Sequence, residues 1–310
     1  MTDRLTDVAL THDHVTVDGT RLHTVTAGDP AGPLVVCLHG FPEFWYSWRA
    51  QIPGLVAAGY RVVAPDLRGY NRSEKPPGVG SYTLDELVGD VTGLIRHYGE
   101  SAHLVGHDWG GTLAWTTAAE HPELLDSLTV MNAPHPAALA ERFDLAQLRR
   151  SWYALAFQLP WLPERLLTLG RGRAVGSMFR ESAATPAAFT DEDIHRYREA
   201  FCRPGAARAA VNYYRAYARE TAGAILPGTA AAPPADTESQ VPTLLLWGEQ
   251  DPALGVGLSE GLERWVADLR VERFPEASHW VHHDAPERVG DRLLEFLDGH
   301  GADEDAGPNL

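Results

Sequence analysis

The sequence predicts an α/β fold, a mostly parallel central sheet flanked by helices, with a helical cap inserted into it. Three observations predict it. Short apolar runs alternate with helix-period stretches through residues 1–135. Between 136 and 235 helical periodicity continues without a clear buried strand. The strand and helix rhythm then resumes over 236–298, so the two flanking stretches read as one core and the middle as a lid.

Each element has its own signal. Val15–Val17 and Arg21–Thr26 flank Asp18-Gly19, a hairpin signature. Leu34–Leu38 is continuously apolar, as a strand covered on both faces requires, and Arg61–Ala64, His103–Val105 and Leu128–Met131 resemble it. Leu84, Leu87, Val88, Val91, Leu94 and Ile95 recur at helical spacing and predict a helix over Leu84–Tyr98, capped by Thr83 and ended by Gly99. Another helix is expected over Thr112–Ala119. The insertion is rich in Trp, Tyr and Phe and is followed by Pro227–Pro234, a linker by composition. Pro242–Trp247 and Arg270–Phe274 are the last strands, Pro286–Leu297 the last helix, and 299–310 a loose polar tail.

Composition narrows the function. The 310 residues carry 26 basic and 42 acidic side chains, a net charge of −16. A surface this acidic repels nucleic acid and anionic lipid, so neither is expected as a partner. The one basic cluster, Arg149, Arg150, Arg165, Arg171, Arg173 and Arg180, reads as a solvated helical face. Cys37 and Cys202 make no disulfide framework, and Cys37 sits in an apolar strand. The polar start Met1-Thr2-Asp3 opens no signal peptide, and no apolar run reaches the ~20 residues of a membrane span. The expected setting is the cytoplasm, as a monomer or a homodimer.

The sharpest chemical signal is Gly106-His107-Asp108-Trp109-Gly110-Gly111, between a predicted strand and a predicted helix. A Gly-x-nucleophile-x-Gly phrase at such a turn is the nucleophile elbow of the α/β-hydrolase fold, here with Asp108 where serine is commonest. His39-Gly40-Phe41-Pro42 follows the first parallel strand. In this fold that loop and the residue after the nucleophile supply oxyanion-hole N–H groups, here from Phe41 and Trp109. Downstream, Asp251 and His279 each follow a strand, in the order nucleophile, acid, histidine; Glu249 is a weaker second choice for the acid. His12, His14, His282 and His283 lack acidic partners at ligand spacing, so no metal is expected, and no organic cofactor.

Over nearly its full length the chain resembles the α/β-hydrolase epoxide hydrolases. The resemblance rests on His39–Arg49, Pro65-Asp66-Leu67-Arg68-Gly69-Tyr70 and Gly106–Gly111; the first and third phrases are shared with dehalogenase relatives. It implies two cap tyrosines that hydrogen-bond the epoxide oxygen. Tyr153 lies four residues before Phe157-Gln158-Leu159-Pro160, and Tyr214 ends the aromatic pair of Asn212-Tyr213-Tyr214-Arg215, with Tyr213 its neighbouring rival. His39, Pro42 and Trp280 are expected at the substrate pocket. The implied reaction is hydrolysis of an apolar epoxide to a vicinal diol through an ester on Asp108, cleaved by water that His279 activates. Haloalkane or haloacid dehalogenase chemistry on the same aspartate is the main alternative. A non-catalytic ligand binder is a weaker one, since all three members of the triad are present.

Overall fold

The structure is a computed structural model and describes residues 2–5, 8–222 and 239–300. Nine strands form one sheet: β1 (Thr2–Leu5), β2 (Val8–Val17), β3 (Thr20–Ala27), β4 (Leu34–Leu38), β5 (Arg61–Pro65), β6 (Ala102–His107), β7 (Leu125–Met131), β8 (Thr243–Gly248) and β9 (Leu269–Phe274). Their order is β1-β2-β3-β5-β4-β6-β7-β8-β9. The pairs from β1 to β5 are antiparallel and those from β5 onward are parallel.

The apolar runs become the covered middle of this sheet. Every residue of β4, β6 and β8 is buried, which explains why those segments show no alternation. Asp18 and Gly19 both take positive φ, 44° and 83°, and join β2 to β3 with Val17 opposite Thr20. That pair of angles is the primed turn whose twist suits two adjacent strands.

The helices named as they occur are α1 (Ile52–Ala57), α2 (Leu84–Tyr98), α3 (Trp109–Glu120), α4 (Pro136–Arg142), α5 (Leu145–Arg150), α6 (Trp152–Ala156), α7 (Leu162–Ser182), α8 (Asp191–Phe201), α9 (Ala206–Ala222), α10 (Val281–Asp284) and α11 (Pro286–Asp298). α2 has the predicted bounds, but Thr83 does not cap it. Its hydroxyl turns back to the Gly80 carbonyl, and Glu220 of α9 accepts the Leu84 N–H at 3.4 Å. α3 begins at Trp109, three residues before the expected start, directly after Asp108.

Helices α4 to α9 follow β7 and precede β8. α7 is broken by non-helical backbone from Leu169 to Gly172. Polar ties bind this insertion to the core: Tyr46 donates to Asp193, Tyr213 to the Arg68 carbonyl, and the Thr185 N–H to Asp284. The expected linker Pro227–Pro234, the 235/236 boundary and tail residues 301–310 lie outside the described residues.

Candidate active site

Asp108 closes β6 and opens α3 with φ 51° and ψ −117°. A non-glycine residue at positive φ is strained, and the surroundings must hold it there. They do so by close approach of backbone. A Cβ on Gly106 would overlap the Gly110 carbonyl, one on Gly110 would overlap the Leu38 carbonyl, and one on Gly40 would overlap the Asp108 side chain. The Asp108 carboxylate is thereby lifted off the sheet, 16 % exposed.

The loop after β4 reaches it directly. The Phe41 N–H donates to Asp108 Oδ1 at 2.7 Å. The Trp109 N–H belongs to the first residue of α3, at a helix end whose N–H groups lack intrahelical acceptors. His39, expected at the pocket, is instead buried in the frame of this loop. Its Nδ1 pairs with the Gly40 carbonyl at 2.9 Å and its Nε2 takes the Leu67 N–H at 3.0 Å. With both ring nitrogens on backbone, it fixes the loop and offers nothing to a ligand. Pro42 is buried after a cis Phe41–Pro42 bond.

His279 Nδ1 lies 2.7 Å from Asp251 Oδ2, and His279 Nε2 lies 3.6 Å from Asp108 Oδ2. Asp251 also accepts from Asn132 Nδ2 at 2.8 Å and from the Ala253 and Leu254 N–H groups at 2.7 and 2.9 Å. Burial alone would raise its pKa, but His279 and these donors hold it below the usual carboxylate value. For His279, burial opposes the charged ring, yet Asp251, then Asp108 and Glu43, raise its pKa to about 9. Glu249, the weaker acid candidate, is exposed. Trp280, also expected at the pocket, is in the seam with the insertion. Its indole N–H donates to Ser182 Oγ at 2.7 Å and its ring packs on Phe179 and His279.

The two expected tyrosines meet on the insertion side. Their ring centroids are 5.9 Å apart, and Phe157 touches both. Tyr214 also stands edge-on to Trp109 and Phe41, at 5.1 and 5.5 Å. Burial raises the pKa of each phenol, and the negative charge of Asp108 adds to the effect on both. Both are therefore protonated donors at neutral pH. Tyr213, the rival, donates to the Arg68 carbonyl at 2.7 Å and packs against Tyr70 and Tyr82. Its hydroxyl is committed to the core.

One polar network was missed by spacing. Buried Glu43 accepts from the Gly40 N–H at 3.2 Å, and its Oε2 pairs with His107 Nδ1 at 2.8 Å; His107 Nε2 meets the His279 carbonyl at 2.9 Å. Glu43 Oε1 faces Ser47, His283 Nε2 at 3.1 Å and His282 Nε2 at 3.6 Å. His282 and His283 have no acidic partner at ligand spacing along the chain, yet they meet one in space, with 238 residues between Glu43 and His282. Glu43, His282 and His283 are close enough to hold a metal ion. Yet Arg49 Nη1 sits 3.3 Å from His283 Nδ1, a cation beside a cation site, and Ser47 supplies hydrogen bonds within the cluster. The donor set fits a hydrogen-bonded core better than a metal. No helix among the described residues is long and apolar enough to cross a membrane.

A sheet of this order, a strained acidic elbow and an Asp–His pair beside it define an α/β-hydrolase-fold enzyme. A sequence model of the alpha/beta hydrolase fold matches residues 33–286, and the chain belongs to that family. Within it, the chain belongs with the epoxide hydrolases. It is 37 % identical to mouse epoxide hydrolase 4, over 93 % of this chain and 79 % of that one. It is 42 % identical to the AB hydrolase superfamily protein YfhM of Bacillus subtilis, over 91 % and 96 % of the two chains. The crystal structure of Bacillus megaterium epoxide hydrolase in complex with an inhibitor superposes with a TM-score of 0.83 at 30 % identity, covering 92 % of this chain and all of that one.

Proposed function

We propose that this enzyme hydrolyses an apolar epoxide to a vicinal diol, a hydrolase acting on an ether bond. The observation that carries the reading is the pairing of a carboxylate at the elbow with two partly buried phenols on the insertion side, Tyr153 and Tyr214, which stand together beside Trp109 and Phe41. Halide departure needs no proton, whereas a departing alkoxide does, and Tyr153 and Tyr214 are protonated groups within the field of Asp108.

Asp108 Oδ2, the oxygen not held by Phe41, attacks a ring carbon from its back face. The C–O bond of the epoxide breaks, and its oxygen takes a proton from a cap tyrosine. The product of this step is an ester whose carbonyl oxygen is Oδ1, already at the Phe41 N–H. Esterification removes the negative charge that helped hold the His279 proton, so the ring gives that proton up, and the tyrosinate is its natural destination. Neutral His279, oriented by Asp251, then takes a proton from water as the water attacks Cγ of Asp108. The oxyanion forms on Oδ1 between the Phe41 and Trp109 N–H groups. Collapse expels the diol oxygen, which receives the proton from His279; the carboxylic acid left at Asp108 then passes its hydroxyl proton to His279, restoring the carboxylate and the charged ring. The helical insertion acts as the cap in this reading, its aromatic rings giving the site its apolar lining.

The test is a paired assay on purified protein, diol from aromatic and aliphatic epoxides against halide from haloalkanes and haloacids. Diol formation lost in Asp108→Ala and sharply reduced in Tyr153→Phe and Tyr214→Phe is expected. Halide release indifferent to both tyrosines would replace the reading with dehalogenation.

A further inference from the structure

The insertion presents an apolar face left exposed among the described residues. Trp152 and Trp161 are 64 % and 63 % exposed, and Leu155, Leu159, Leu166 and Leu169 are each at least 50 % exposed. Single exposed leucines are ordinary. Here, among the described residues, every large apolar side chain left exposed except Val256 falls within 143–169. Leu162, Leu166 and Leu169 recur at helical spacing on the first half of α7, so they form a stripe on one side of it.

The charge beside this face is opposite to that of the molecule. The chain carries −16, yet 143–180 holds six arginines and two acids, Asp144 and Glu164. Glu164 is paired with Arg215 at 2.6 Å. A groove of about 470 Å³ opens beside Trp161, and Arg165, Arg208, Arg215 and Arg219 line it. Arg208 and Arg219 have no acidic partner among the described residues. Exposed tryptophans and leucines next to unpaired arginines match the chemistry of a phospholipid surface: apolar groups for the acyl boundary, guanidinium groups for phosphate.

We propose that this face of the insertion docks the enzyme peripherally on an anionic phospholipid bilayer. Trp152, Trp161 and the leucines enter the headgroup boundary, and Arg165, Arg208 and Arg219 of the groove hold lipid phosphates. The expectation of no membrane partner rested on net charge and on reading the Arg149–Arg180 cluster as a solvated face; the exposed tryptophans and leucines beside that cluster are what the structure adds. A second copy of this chain is the less suitable occupant. A two-fold interface lays the same patch on itself and would set arginine against arginine. The face is also continuous with the site. In α6, Trp152 and Leu155 point outward, while Tyr153 between them packs on Phe157 and Tyr214 beside Asp108. An apolar compound dissolved in the bilayer would thus meet the enzyme one helical turn from its site.

The experiment is flotation of the full-length protein, without substrate, on vesicles of phosphatidylcholine mixed with phosphatidylglycerol and on vesicles of phosphatidylcholine alone. Circular dichroism checks that each variant is folded. Wild type is expected on the anionic vesicles, weakly on the neutral ones, and less as salt rises. Arg208→Glu with Arg219→Glu should weaken partitioning by about fivefold or more per site, and Trp161→Ser with Leu166→Ser by about tenfold. Wild type that ignores anionic vesicles, or binds them as well after charge reversal, overturns the proposal. So does a wild-type dimer that Trp161→Ser converts to monomer, which would assign the face to a second copy. If the apolar variant fails to fold, the charge variant decides alone. The readout needs no epoxide, so it stands or falls apart from the proposed reaction.

Discussion

The Phe41 N–H points at Oδ1 of Asp108 from 2.7 Å, while Oδ2 of the same carboxylate lies 3.6 Å from His279 Nε2. The two oxygens are therefore inequivalent before any substrate arrives. In the proposed reaction Oδ1 is the oxygen on which the oxyanion forms, and Oδ2 is the one that attacks.

That inequivalence predicts the fate of an isotope. In a single turnover in ¹⁸O-labelled water, the diol should leave with the unlabelled Oδ2 and the label should appear in Asp108, read by peptide mass spectrometry. Diol labelled from the first turnover would mean that water attacks the epoxide directly. His279→Gln should accumulate protein heavier by one epoxide, and Asp108→Ala should lose turnover by at least about 10³-fold.

The three tyrosines of the insertion should separate by readout. Tyr153→Phe and Tyr214→Phe each remove one donor to the developing alkoxide, with an expected loss of about 10²-fold in kcat. Their thermal stability should change little. Tyr213→Phe strands the buried Arg68 carbonyl and should cost about 1–3 kcal/mol of stability, with turnover largely retained. If Tyr213→Phe abolishes turnover in folded protein while Tyr214→Phe does not, the assignment is reversed.

The pKa of His279 should follow the charge of its neighbours. In the free enzyme the ring, raised to about 9, is charged at neutral pH. Because the proton is held more tightly in the folded chain than at the unperturbed value of 6.5, its stabilising contribution is complete below that value and is lost as pH rises through about 9. Asp108→Asn, which mimics the neutral ester, should lower the value. Nitrogen NMR of the imidazole, assigned with His279→Gln, checks both points. An unchanged titration in Asp108→Asn would remove the electrostatic basis for base action.

Glu43→Gln should disturb three segments at once, because one carboxylate holds the Gly40 N–H, the His107 ring and, through that ring, the His279 carbonyl. The expected result is a lower melting temperature together with a shifted pH profile for ester hydrolysis. A shift in melting temperature alone would mark Glu43 as a stabilising group without influence on His279.

Much of this protein was legible in its sequence because the signals are local. Strands covered on both faces must be continuously apolar, so β4, β6, β7 and β8 announced themselves. A strained elbow must have small neighbours, so the glycines around Asp108 pointed to it. Its partners follow strand ends in a fixed order, and Asp251 and His279 stand there. Other features depend on residues far apart in the chain, and only the tertiary structure decided them. His39 and Trp280 looked like pocket residues by position, but hydrogen bonds to Leu67 and Ser182 take them into the frame. Tyr213 and Tyr214 are adjacent and alike; the turn of α9 sends one hydroxyl to Arg68 and leaves the other near Asp108. Glu43 and His282–His283 show no common motif, since side chains buried together need not be near in sequence. The physical reason is the same each time: periodicity and turn chemistry are written in consecutive residues, whereas burial and partnership are settled only when separate segments pack.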